Sequence, residues 1–381
     1  MNPRIIPLVA LLAAIAACAY FFLPSGPSPS AGNAGADSQR TEEAGATGKN
    51  PASGSSSDAD GKKPAVNWKH FATLSNFDKA EEWFPQVTSK DIERFLAKHG
   101  ETPANLVTAF QATHDRRLLD RALELFPNSP IVLMAAVNSI PTGAKPKPGE
   151  AYVPDAQRMA FIERFKAADP NNPLPWIHSA EEYFRAGQTG DAVAAIRAAL
   201  ERPAFYIYAN ERMDSTQQLY EDLGLNSMEA GMLALVGLPL SHMGAANQAS
   251  RSLMEWQKSA TESGDTAAAN DAIQLTYNLG RTFATPEASR TLIGQLVGFS
   301  MEKRALESLS AGAQPDWLSV TPAQRLAEIQ TQKQNVQVLV GDGGFEWLIQ
   351  SQDEELLAEY LRRNRSDGEF SALTWLKAQK K

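Results

Sequence analysis

Five dipeptides punctuate the chain in the same way: Thr102-Pro103, Ser129-Pro130, Asn172-Pro173, Thr285-Pro286 and Thr321-Pro322. Each sets a side chain that can accept a hydrogen bond from free helix amides ahead of a proline suited to the first helical position. Between these starts the apolar residues recur at spacings of three and four. Ile92, Phe95 and Leu96 form one stripe, Leu118, Leu119, Ala122, Leu123 and Phe126 another, and Leu292, Ile293, Leu296 and Val297 a third. A period near 3.6 is that of a helix with one buried face. Thr321 with Gln324, and Ser351 with Glu354, have the spacing of a capping box. Roughly a dozen helices are expected by this pattern. One segment dissents: Val336 to Val338 alternates and Gly341 to Gly344 is a turn, which fits a hairpin. Val336, Leu339 and Val340 fit a helix face better, so helix, turn and helix is the expectation there.

The helical pattern begins only at Val66. From Pro24 to Ala65 the chain has no Val, Ile, Leu, Met, Phe, Trp or Tyr, and such a stretch cannot bury enough surface to offset chain entropy. As a flexible coil it would average ~35 Å from end to end. Before it, Ile5 to Leu23 carries no charge and ends in an aromatic cluster, Tyr20 to Phe22. As a helix this run would reach ~28 Å, close to the ~30 Å hydrocarbon core of a bilayer. Arg4 lies before it and the first charge after it is Asp37, so positive charge stays inside and the remaining chain is expected outside the cytoplasm. The expected organisation is residues 1–23 as membrane anchor or signal segment, 24–65 as tether, and 66–381 as one helical domain. An uncleaved anchor in a bacterial inner membrane, with the domain in the periplasm, is the first reading. Cleavage as a secretory signal is a second. For a third, Ile15-Ala16-Ala17-Cys18 resembles the bacterial lipobox, which implies lipidation at Cys18, although Ala19 to Leu23 stays apolar where lipoproteins turn polar.

Composition narrows the function classes. Cys18 is the single cysteine, which excludes a disulfide scaffold and a thiolate metal cluster. The formal net charge of −8 falls wholly on residues 66–381, because the basic and acidic residues before Val66 balance. That acidity argues against a nucleic-acid partner, which needs a basic face.

Internal repetition bears on the architecture. Asp169-Pro170-Asn171-Asn172-Pro173 precedes Trp176, Ala180, Tyr183, Gly187, Ala192, Ile196 and Ala199. Large residues at Trp176 and Tyr183 around a small Ala180 let one helix nest against its antiparallel partner, and Ala192 and Ala199 let the second approach closely. From Pro173 to Pro203 this spacing resembles a tetratricopeptide repeat. A degenerate copy precedes it, in which Pro127 leads to Leu133 as Pro170 leads to Trp176, with Pro141 to Val153 inserted as a loop. The resemblance covers about a quarter of the chain. It implies an all-α fold of antiparallel helical hairpins, stacked as a tetratricopeptide-like array or compact α-solenoid. Later segments, including a helix with Gly294 and Gly298 four apart for close packing, read as helical hairpins without the repeat spacing. The order of anchor, tether and repeat helices is similar to that of bacterial envelope proteins, and this likeness implies no activity.

No phosphate-binding loop, nucleophile elbow, zinc helix or dinucleotide fingerprint is present in the sequence, so no cofactor or metal is expected. Asp342 among glycines reads as a turn. His178 has Glu181 and Glu182 three and four residues on, and a solvated helix face is expected there before a metal site. His242 after Ser241 reads as a polar pair at a helix start. Adjacent acids, Glu81-Glu82, Glu181-Glu182 and Asp353-Glu354-Glu355, point different ways on a helix, so none of these groups is an acid–base couple by itself. In repeats of this kind the first helix lines the concave face. By that resemblance Leu174, Ile177, Glu181, Phe184 and Arg185 are the expected partner-binding residues, with Glu181 and Arg185 also spaced as an ion pair. The expected function is a membrane-tethered, non-enzymatic scaffold for a protein or peptide partner. The alternatives are an envelope enzyme of the glycan hydrolase or lyase class, or a structural spacer.

Overall fold

The computed structural model describes residues 84–140, 152–202, 205–284, 290–309, 314–341 and 344–380. The anchor or signal segment, the tether, Cys18, the inserted loop at 141–151, Thr285-Pro286 and Asp342 lie outside them. Among the described residues every regular element is an α-helix. In chain order these are α1 (Ser89–His99), α2 (Pro103–Thr113), α3 (Arg116–Leu125), α4 (Pro130–Ser139), α5 (Ala156–Ala168), α6 (Leu174–Arg185), α7 (Thr189–Leu200) and α8 (Ala209–Asp222). There follow α9 (Ser227–Val236), α10 (Ser241–Glu262), α11 (Thr266–Ala284), α12 (Leu292–Glu307), α13 (Pro322–Gly341), α14 (Gly344–Ser351), α15 (Glu354–Asp367) and α16 (Glu369–Gln379). None of these helices is long and apolar enough to cross a membrane.

Most of the expected starts hold. The Thr102 hydroxyl accepts from the Asn105 amide with Pro103 behind it, and Thr321 forms a capping box with Gln324. Asn172 Oδ1 accepts from the Leu174 amide at 3.1 Å. Two differ. Ser129 makes no side-chain cap bond, and α4 is apolar enough to be held by burial instead, with Ile131 through Val137 all enclosed. Ser351 does not cap α15: its hydroxyl donates back to Leu348 O, and Asp353 accepts from the Leu356 amide. A carboxylate two residues nearer the helix is the stronger acceptor for a helix amino end. The segment around Val336 is helix α13 followed by α14, as the helix reading has it; Val336 and Leu339 face the core.

Antiparallel neighbours pair along the chain: α2 with α3, α4 with α5, α6 with α7, α8 with α9, α10 with α11, α11 with α12, and α15 with α16. The α6–α7 hairpin carries the repeat spacing, with Ala180, Ala192 and Ile196 fully enclosed. Gly187 turns it at φ +72°, and the Gln188 amide donates to Tyr183 O. Four apolar clusters run through the molecule. One lies among α2 to α5, one among α6, α7 and α10 to α12, and one around α12 and α13. The largest holds Phe95 of α1, Leu233 of α9, Leu348 of α14 and Leu376 of α16. The two ends of the described chain therefore share a core, and the helices close into a block.

The closest helix pair is α11 against α12. A methyl group at Gly298 would sit 2.5 Å from the Ala284 amide nitrogen and 2.7 Å from Gly280 O. Small residues do set this approach, and the partner of Gly298 is Gly280 across the interface.

Candidate functional site around helix α6

Helix α6 is enclosed on nearly every side, because α5 and α7 flank it and α10 lies across it. This position decides what its side chains can do. Leu174 is 1% exposed in the cluster of α2 to α5, and Ile177 is fully buried in the cluster shared with α10 and α11. The expectation that Leu174, Ile177 and Glu181 line an open concave face is corrected: all three lie inside, Leu174 against α2 to α5, Glu181 against Arg158 of α5, and Ile177 against the 22-residue α10. Phe184 and Arg185, at the carboxyl end of α6, keep part of their surface in solvent.

Glu181 and Arg185 do pair, at 3.3 Å, as their spacing implies. They belong to a larger buried network. Arg158 of α5 donates through Nε to Glu182 Oε1 at 2.8 Å, through Nη2 to Glu181 Oε2 at 3.5 Å, and through Nη1 to the carbonyls of Val137 and Ile140. The Tyr152 hydroxyl donates to Glu182 Oε2 at 2.6 Å. Neighbouring acids on one helix thus converge on a single guanidinium, which spacing along α6 alone does not reveal. Burial would raise the Glu181 carboxyl, but His178, Arg158 and Arg185 together hold it below its ordinary value. Burial and the bond to Glu182 push the Tyr152 hydroxyl up to about 12. Each carboxylate here is matched by a cation or a donor. Such a network fixes helix register.

His178 is not on a solvated face. It is 2% exposed, and Nδ1 stands 3.8 Å from Glu181 Oε2, beyond hydrogen-bond reach. Burial lowers its pKa. His242 is also buried, with its ring 5.6 Å from that of Phe205 and stacked on Phe283, while Ser241 stays exposed. The expected Ser–His pair is therefore split between solvent and core. Burial, with the Arg212 charge and His178 behind it, lowers His242 to about 3. Among the described residues no group of three or more His, Cys, Asp or Glu side chains is placed to hold a metal ion.

Two depressions open to the surface. One, of about 670 Å³, lies where α7, α10 and α11 meet, with Val193, Trp256, Ala267 and Ala268 as its apolar lining. Arg197 and Asp271 bridge its rim at 2.6 Å. The other, of about 490 Å³, lies between α8, α9 and α15, beside Met228, Leu361 and Arg365. The first borders α7, the second helix of the repeat hairpin. None of these residues carried a signal in the sequence. Arg158, Tyr152 and Arg212 had no signal at all, because each gains its meaning from a helix distant in sequence.

No protein-family model, curated protein or solved structure matches the chain.

Proposed function

We propose that this protein is a membrane-tethered scaffold of the bacterial envelope, in which the helical block binds a protein or peptide partner. The apolar run at residues 5–23 serves as the anchor, 24–65 as the tether, and the block stands outside the cytoplasm. The observation that carries the binding role is the depression between α7, α10 and α11. It joins an aromatic and small apolar side chains to a charged rim, Arg197 and Asp271, in an open surface setting. An interface centre commonly has that make-up: an aromatic anchor surrounded by polar groups. The buried carboxylates favour a scaffold over a hydrolase. Glu181, Glu182 and Glu302 are held by Arg158, Arg185 and Arg325, and none of them lines either depression.

A photocrosslinking amino acid at Ala267 of the full-length membrane protein tests this reading. A discrete protein adduct is expected, lost on Ala268→Glu and not formed from a control position at Glu124. No adduct at Ala267, together with glycan cleavage by the purified full-length protein, would replace the scaffold with the enzyme reading.

A further inference from the structure

Arg212, on α8, is 3% exposed, and among the buried arginines it is the one least provided for. A guanidinium does not shed its proton in a protein, so its burial must be met by acceptors. Arg158 meets Glu181 and Glu182, and Arg325 meets Glu302 and Glu328. Among the described residues Arg212 meets one acceptor, Gln111 Oε1 of α2, at a long 3.4 Å, and its Nε is enclosed with no hydrogen-bond partner. No carboxylate offsets its desolvation, which lowers its pKa to about 10.

A second unmet polar group lies beside it. On α2, Asn105 bonds Ser215 and Gln111 bonds Arg212, so Thr108 lies between them on the seam with α8; its hydroxyl is buried without a partner. From α10 His242 feels the Arg212 charge, and it feels His178 of α6 as well. Both ring nitrogens of His178 are enclosed without hydrogen bonds. The carboxylates of that helix, Glu181 and Glu182, are committed to Arg158, Arg185 and Tyr152. Phe205 and Phe283 stack about the His242 ring and supply an apolar wall. The interior here holds one full positive charge, neutral donors and aromatic surface, and it needs a planar acceptor.

We propose that Arg212 anchors a binding site for a small carboxylate on the seam of α2 and α8. The Nε and one terminal nitrogen of a guanidinium form a fork that matches the two oxygens of a carboxylate. The Thr108 hydroxyl can donate to a remaining lone pair. Gln111 is half-buried, so the seam reaches solvent at that end.

The test is thermal denaturation of the full-length protein in detergent, with acetate and then benzoate titrated against chloride at constant ionic strength. A saturable rise in Tm of about 2 °C at ten times Kd is expected with a carboxylate and not with chloride. Arg212→Lys, which keeps the charge and loses the fork, should fold and lose most of the response, and so should the milder Thr108→Val if Arg212→Lys proves unstable. Equal responses to carboxylate and chloride would overturn the site. So would a response to phosphate alone, or a crystal structure grown in saturating acetate with only water on Arg212 Nε.

Discussion

Glu182 is wholly enclosed, and it tolerates burial because Arg158 and Tyr152 between them bond both of its oxygens. Breaking such a pair leaves an uncompensated charge in the interior, a loss of roughly 3–5 kcal/mol, whereas replacing both partners with apolar groups of similar volume is often neutral. Arg158→Met should therefore lower the urea midpoint strongly, and Arg158→Met combined with Glu182→Met should recover much of it. A double variant no more stable than the single one would show that Arg158 acts through its carbonyl bonds to α4. His242 gives a pH signature. Its pKa falls from the ordinary value near 6.5 to about 3, so above pH ~6.5 it contributes nothing. Below that, the unfolded chain takes up a proton that the fold excludes, and stability falls by ~1.4 kcal/mol per pH unit for each such histidine. His178 is shifted in the same direction by the same cause, burial. Urea titrations between pH 6.5 and 5 should show a steep loss for the natural chain and a shallower one for His242→Phe, which keeps a stacked ring. Equal slopes would place the histidine in contact with water.

At the scale of helices, local chemistry and packing decide different things. The starts at Thr102 and Thr321 were legible because a cap acts within three residues. Asp353 displaced Ser351 as a cap for the same local reason, an acceptor better matched to the positive end of the helix. The burial of Leu174 and Ile177 was not legible, since Leu174 packs on helices α2 to α5 and Ile177 on α10, which begins more than fifty residues later. Periodicity reports that a face is apolar, and it does not report which helix covers it. The close pair of α11 and α12 shows the same divide: two glycines can be noticed in a sequence, but that Gly298 meets Gly280 is a tertiary fact. Gly298→Ala would push a methyl group into backbone at 2.5 Å, so the helices must separate, at roughly 1–3 kcal/mol or more. Gly190, in the first turn of α7, has open space around its Cα. Gly190→Ala should raise the Tm slightly, through a better helix propensity, while Gly298→Ala lowers it by several degrees. Opposite signs from one chemical change would confirm that approach distance, not helix propensity, governs the α11–α12 pair.

For the molecule as a whole, the main question is whether the helices form an open array or a closed body. In an open array each hairpin touches only its neighbours, so damage at one end stays local. Here the cluster that holds Leu373 and Leu376 of α16 also holds Ile92 and Phe95 of α1 and Leu292 of α12. Polar contacts reinforce that closure: Glu369 accepts from the Leu292 amide at 2.8 Å and its own amide donates to Arg290 O at 2.7 Å, so the start of α16 caps α12. Lys98 and His99 of α1 in turn hold Asp222 at the end of α8. Leu376→Ala removes a fully buried side chain and should cost roughly 2–5 kcal/mol. Its effect on amide exchange separates the two architectures. In a closed body, α1 and α9 lose protection together with α15 and α16, although α1 is nearly three hundred residues away in sequence. In an array, the loss stops at α15. The shared core requires the first result. It also implies that a partner engaging α7, α10 and α11 binds a platform that depends on the core shared by α1 and α16, so Leu376→Ala should weaken the crosslink from Ala267 without touching the contact surface.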